Sequence, residues 1–181
     1  DNKISQIHDG FIAQREIRNL VLFLQSCNVN TALAARIYNE YGMESINIIK
    51  ENPYRLSDEI WGIGFRTADM IAQKIDFGSD RFYRIRSGIM FTLNRIAEDG
   101  HCFTDRDQLI KKSSELLGTE DCNVSMTLDN MIMLNEVIRD EEAHYLPPFF
   151  FSERGTAERV KQILSSKEEK PIQNINKSIG G

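Results

Sequence analysis

A chain of 181 residues, 41% of them apolar and 27% charged, has material for one large domain or two to three small ones. A net charge of −5 excludes a broad cationic nucleic-acid surface, since non-specific DNA affinity comes mostly from neutralising phosphates with Lys and Arg. No apolar run approaches the roughly 20 residues needed to cross a bilayer, so no membrane partner is expected. Cys27, Cys102 and Cys122 are too scattered for a disulfide framework or a CxxC zinc site, and His8, His101 and His144 do not cluster with them. The opening Asp1-Asn2-Lys3 has no Met and no leader pattern, so the expectation is a piece of a longer, cytoplasmic protein.

Helical periodicity dominates the first half. Ile17, Leu20, Val21 and Leu24 form an apolar stripe that predicts a helix over 12–26. Thr31 to Tyr41 reads as a second, with Leu33, Ala34, Ile37 and Tyr41 on one side and Gly42 as its stop. A short third helix spans 43–51, and Asn52-Pro53 looks like the cap and first-turn proline of a fourth. A fifth covers 65–76, directly after Trp61-Gly62-Ile63-Gly64.

That glycine turn is the most informative stretch of the chain. Two glycines two apart permit positive φ and a close backbone approach, with Gly64 expected to need the positive φ. The following helix starts with N–H groups that have no carbonyl partner and can face an anion. This is the pattern of a helix-hairpin-helix, with Ile63 as a hydrophobic plug beneath the turn. Laid under 62–75, residues 28–41 repeat it at an offset of 34: Asn28-Val29-Asn30 falls on Gly62-Ile63-Gly64, Ala34 on Ala68, Ile37 on Ile71 and Tyr41 on Ile75. Asn tolerates the left-handed region better than other non-glycine residues. A tandem pair of hairpins is therefore expected over 1–78.

Beyond Gly78 the pattern changes. Asp80 is placed to cap a long helix ending at Gly100, with Ile85, Ile89, Leu93 and Ile96 as its stripe. A short extended piece, His101-Cys102-Phe103, precedes Thr104-Asp105-Arg106-Asp107, which resembles a capping box, and a helix to Leu117 that stops at Gly118. Asn123 is expected to cap a helix to about residue 135. Val137-Ile138-Arg139 and Ala143-His144-Tyr145-Leu146 read as a β-hairpin around Asp140-Glu141-Glu142. Helix, strand, helix, helix, hairpin is the order of a winged helix, here over 79–148. Pro147-Pro148 is read as a break, followed by a linker helix over 149–165 and a polar tail from Lys170, expected to be disordered, to Gly180-Gly181. The predicted fold is mainly α: a tandem helix-hairpin-helix, then a winged-helix-like subdomain with a small β-hairpin.

Asn52-Pro53-Tyr54-Arg55-Leu56, Trp61 to Asp69, Arg84-Ile85-Arg86-Ser87-Gly88, Gly100-His101-Cys102 and Tyr145-Leu146-Pro147-Pro148, in that order, closely resemble the region before the motor in bacterial RecD-like ATP-dependent DNA helicases, the exodeoxyribonuclease V alpha-subunit type. The resemblance runs from about residue 14 to about residue 163. It implies a DNA-binding accessory segment, catalytically silent alone, attached to a superfamily 1 motor that moves 5′ to 3′ and acts in DNA repair or recombination. It also implies a cytoplasmic, nucleoid-associated bacterial protein whose ATP and Mg²⁺ sit in the motor. No Gly-x-x-x-x-Gly-Lys-Ser/Thr occurs in this sequence, so no cofactor is expected here.

The expected DNA-binding residues are Gly62, Ile63, Gly64, Phe65, Arg66 and Thr67 in the second hairpin, Asn28, Asn30 and Thr31 in the first, and Arg84 and Arg86 beyond. The expected partners are single-stranded or junction DNA, held by its phosphates, and the motor domains. In the first hairpin Asn28 and Asn30 replace Gly-x-Gly, which makes it the weaker phosphate site. Trp61 can stack on a base, but beside such a turn it is expected in the core. Arg81, Arg84 and Arg86 suit either an extended DNA track or an ordinary charged helix face, while Arg106, Lys111 and Lys112 read as a solvated face. The acidic wing tip would be repelled by phosphate, which suits a spacing or protein-facing role and disfavours a stand-alone winged-helix regulator. The competing reading is a docking scaffold without DNA contact.

Overall fold

The computed structural model describes residues 2–27, 29–77 and 81–167. Asn28, Gly78, Asp80 and the tail from residue 168 lie outside them, and with them the expected Asp80 cap and the expected disordered tail. The first unit comprises α1 (Asn2–Ser26), α2 (Thr31–Tyr41), a 3₁₀ turn (Gly42–Glu44), α3 (Ser45–Glu51), α4 (Arg55–Glu59) and α5 (Phe65–Lys74). α1 starts ten residues before the predicted helix start at residue 12. α4 starts after Asn52-Pro53, because the Asn52 carboxamide accepts from the N–H of Tyr54 at 3.0 Å and turns the chain first.

The repeat is visible in three dimensions. Asn30 and Gly64 occupy the same N-cap position in extended conformations (φ −74, ψ 158 and φ −95, ψ 172). Val29 and Ile63, directly before them, are both buried plugs, 4% and 3% exposed. Ala34 and Ala68, then Ile37 and Ile71, are all buried in matching registers. The plugs share one apolar cluster with Leu20, Leu24, Ile49, Leu56 and Ile60, each full burial being worth about 1.5–3 kcal/mol.

The second unit is α6 (Arg81–Glu98), β1 (Phe103–Asp105), α7 (Arg106–Leu117), α8 (Asp121–Met133), β2 (Ile138–Asp140) and β3 (Ala143–Tyr145). The strands form an antiparallel sheet in the order β1-β3-β2, with Thr104 opposite His144 and His144 opposite Arg139. That is the winged-helix arrangement. α7 is capped by Asp105, which accepts from the N–H of Gln108 at 2.9 Å, rather than by Thr104, which is buried in β1. α8 begins behind Glu120, so Asn123 lies inside it. Pro147 and Pro148 open α9 (Pro147–Lys167) instead of breaking the chain, as the first helical turn has no use for their missing N–H.

The two units share packing. Ile71 of α5 faces the first cluster, whereas Phe65, Ala68 and Ala72 face a second one built on Ile85, Ile89, Leu93, Leu109, Leu128 and Met131. Arg84 on α6 pairs with Asp69 on α5 at 2.8 Å and donates to the carbonyl of Leu117 at the end of α7. Arg86 reaches Asp58 on α4 and Glu136 after α8, each at 2.7 Å.

Candidate nucleic-acid interface

The site begins as a turn between α4 and α5. α4 is one short helix, and its end at Ile60 leads into exposed Trp61 and Gly62, buried Ile63 and exposed Gly64. Gly62 carries the positive φ, +88°, and Gly64 does not, which corrects the expectation. The physical reason is position: Gly64 is the N-cap, and an N-cap takes extended backbone. The reversal falls on Gly62, where an added Cβ would lie 2.6 Å from Nη1 of Arg36.

α5 enters without a side-chain cap. The N–H groups of Thr67 and Ala68 are taken by the carbonyl of Gly64 at 3.0 and 3.2 Å. Those of Gly64, Phe65 and Arg66 have no acceptor among the described residues. They open onto solvent over a glycine with nothing within 4 Å of its Cβ position. The partial positive charge of a helix start adds to them. The Phe65 ring is core, stacked near Tyr54 at 6.2 Å and tilted against Phe91 at 5.6 Å, so only its N–H serves the site. Arg66 is exposed and makes no ion pair among the described residues, and Thr67 is half-buried.

The first hairpin differs where it matters. Asn30 turns its own carboxamide onto the N–H of Leu33 at 3.0 Å, filling the helix start with its side chain. Thr31 is exposed; Asn28 lies outside the described residues. The offset of 34 sets Arg66 against Ala32, so this hairpin has no cation at its helix start.

Two features of the site escaped sequence reasoning. Arg36, on α2, donates from Nη1 to the carbonyl of Trp61 at 3.1 Å and lies over the indole at 5.2 Å, bringing a second cation to the turn. Trp61 itself is 86% exposed, against the expectation of a core residue, because the plug beneath the turn is Ile63. A contact spanning 25 positions between a helix and a turn leaves no periodic trace in the sequence.

The acids beside the turn are neutralised. Asp58 is held by Arg86. Glu59 accepts from Arg55 at 2.8 Å and from the Tyr41 hydroxyl at 2.8 Å, and the Arg55 hydrogen bond helps to hold its carboxyl below the usual range. Burial and the hydrogen bond to Glu59 push the Tyr41 phenol up, so it stays a donor. Arg84 and Arg86 have their guanidinium groups engaged within the protein, with Asp69, Asp58 and Glu136. The wing turn places Glu141 and Glu142 exposed at the far end of β2 and β3.

Residues 13–103 match the family model described as the ATP-dependent RecD2 DNA helicase HHH domain, just over half of the 181 residues. The chain belongs to that family. The matched stretch contains both hairpins, the whole of α6 and the first residue of β1. The family makes this a DNA-binding accessory region of a helicase, with a mainly α fold. The sequence has no phosphate-cradling Gly-Lys-Ser/Thr loop, and no three His, Cys, Asp or Glu side chains are grouped to hold a metal among the described residues. Among the described residues no helix is long and apolar enough to cross a membrane.

Proposed function

We propose that this chain grips the DNA backbone without reading its sequence, through the turn and helix start at Gly62, Ile63, Gly64, Phe65, Arg66 and Thr67, with Asn30 and Thr31 as a weaker second contact. The observation that carries this reading is the uncapped start of α5. Its three consecutive free N–H groups stand beside Arg36 and Arg66, and the neighbouring carboxylates are already paired. Backbone donors have no base to read there, only phosphate oxygens. Arg84 and Arg86 are left out of the contact set, since their charge fastens the two units together.

In this reading the DNA is a single strand or a junction, and the grip serves a 5′ to 3′ motor in repair or recombination on the bacterial nucleoid. ATP and Mg²⁺ belong to that motor. The exposure of residues 151–165 of α9 supports its role as the element leading toward the motor domains.

Titration of this chain with labelled DNA over a range of salt tests the clamp. Two or three phosphates held mostly by N–H groups release few counterions, so the log–log slope should be about −1 to −3. A much steeper slope, or a marked preference for one sequence, contradicts it. The docking-scaffold reading is favoured by the net charge of −5 and the acidic wing tip. It predicts no DNA binding at any salt.

A further inference from the structure

Trp61 is 86% exposed, more than any other large apolar side chain among the described residues. Trp is highly buried on average in folded proteins, and nothing in the packing of the turn uses this ring. It is nevertheless held. Its carbonyl accepts from Nη1 of Arg36 at 3.1 Å, and the guanidinium of Arg36 covers the ring at 5.2 Å. With one face against Arg36 and so much of the indole exposed, the other face is open. The free N–H groups of Gly64, Phe65 and Arg66 begin three residues further on.

A flat, anchored, open aromatic face next to an anion site fits one kind of partner. Bases in a duplex are already stacked on both sides and present only their edges. A base in a single strand, or at a frayed junction, has a free π-face and hangs from a phosphate. We propose that Trp61 is a stacking platform for an unpaired nucleobase of the strand whose phosphate lies on the start of α5, an inference that rests on reading that turn as a DNA clamp. Arg36, base and indole form one stack, with the indole in the middle. The platform gives the clamp a preference for unpaired DNA that backbone N–H groups alone cannot supply, because phosphates look alike in both forms.

The chain has a single tryptophan, so its emission reports this ring alone. Unlabelled oligothymidylate and a blunt duplex of equal length are titrated into the chain while Trp emission is read, with binding followed in parallel by anisotropy of the labelled forms. The expected result is saturable quenching by oligothymidylate and little quenching by bound duplex. Trp61→Ala, at an exposed position, should weaken oligothymidylate binding about tenfold, about 1.4 kcal/mol, while duplex affinity changes by less than about twofold and the melting curve stays close to that of the parent chain. Trp61→Phe should retain most of the single-strand affinity. Binding of oligothymidylate without quenching, and with Trp61→Ala binding as tightly as the parent chain, overturns the platform and leaves the clamp standing. Equal loss on both DNA forms also overturns it. If neither DNA binds, the clamp fails and the platform fails with it.

Discussion

At the scale of the residue, the two glycines of the turn have separate duties. Gly62 reverses the chain at φ +88°, where an L side chain costs roughly 1–2 kcal/mol and a Cβ displaces the Arg36 guanidinium. Gly64 sits at φ −95° with open space around it, so a side chain there meets solvent or ligand instead of protein. Gly62→Ala should therefore lower stability by about 1–2 kcal/mol. Gly64→Val should cost less than about 1 kcal/mol, the difference between good and poor N-caps, yet weaken DNA binding by covering the N–H groups. Asn30→Val is the reverse case: it loses the cap on Leu33 N–H, about 1 kcal/mol, with a smaller loss of binding. Melting curves and DNA titrations of the three variants separate these effects, and stronger loss of binding in the Asn30 variant would reassign the working hairpin. The pair of glycines was legible in the sequence, but the division of labour was not. Which of them takes positive φ depends on where the N-cap falls, and that is set by Ile63 packing beneath the turn.

At the scale of the element, the helices were readable wherever a local signal ended them. Gly42 and Gly118 both have positive φ and both stop a helix, as expected of glycine after Tyr41 and Leu117. Starts were less legible where two capping residues compete. Thr104 and Asp105 both suit an N-cap and both pair with β3, but Thr104 is buried while Asp105 is exposed and takes the cap. The wing hairpin and its acidic tip were plain from alternation around Asp140-Glu141-Glu142. β1 was legible only as a short extended piece, because its partner β3 lies about 40 positions away. The crossing of α6 and α7 could not be read at all. Gly88 has Leu117 so close that an added Cβ would come within 2.7 Å of its side chain. Gly88→Val should destabilise by about 1–3 kcal/mol through overpacking, despite valine's better helix propensity. A melting temperature equal to that of the parent chain would show that α7 can slide away freely.

At the scale of the whole molecule, partly exposed ion pairs connect the hairpin unit to the winged-helix unit. Burial alone would raise the Asp69 carboxyl, but hydrogen bonds from Arg84 and Tyr54 outweigh it and hold it below the usual carboxylate range. A lowered folded value adds stability above the unfolded value of about 4, lost as pH falls through the folded value. His144 is also lowered, first by burial, so its contribution is present above about pH 6.5 and erodes below it. Stability should thus fall in two stages on acidification. Asp69→Asn should shrink the lower stage, to which Glu59 also contributes, and cost about 2 kcal/mol at neutral pH, typical for hydrogen bonds to a charged group. Urea melts of both chains across pH check this; an unchanged low-pH profile in the variant would take Asp69 out of the account. Pairing Asp58 and Glu59 also lets a chain of net charge −5 present a locally cationic turn. The most direct measurement of that claim is an amide ¹H–¹⁵N spectrum of the chain titrated with DNA. The account predicts the largest shifts at Gly62, Gly64, Phe65, Arg66 and Thr67, smaller ones at Thr31 and Ala32, and none at Glu141 or Glu142. Saturating binding with shifts confined to the wing or α9, and none at the start of α5, would contradict it.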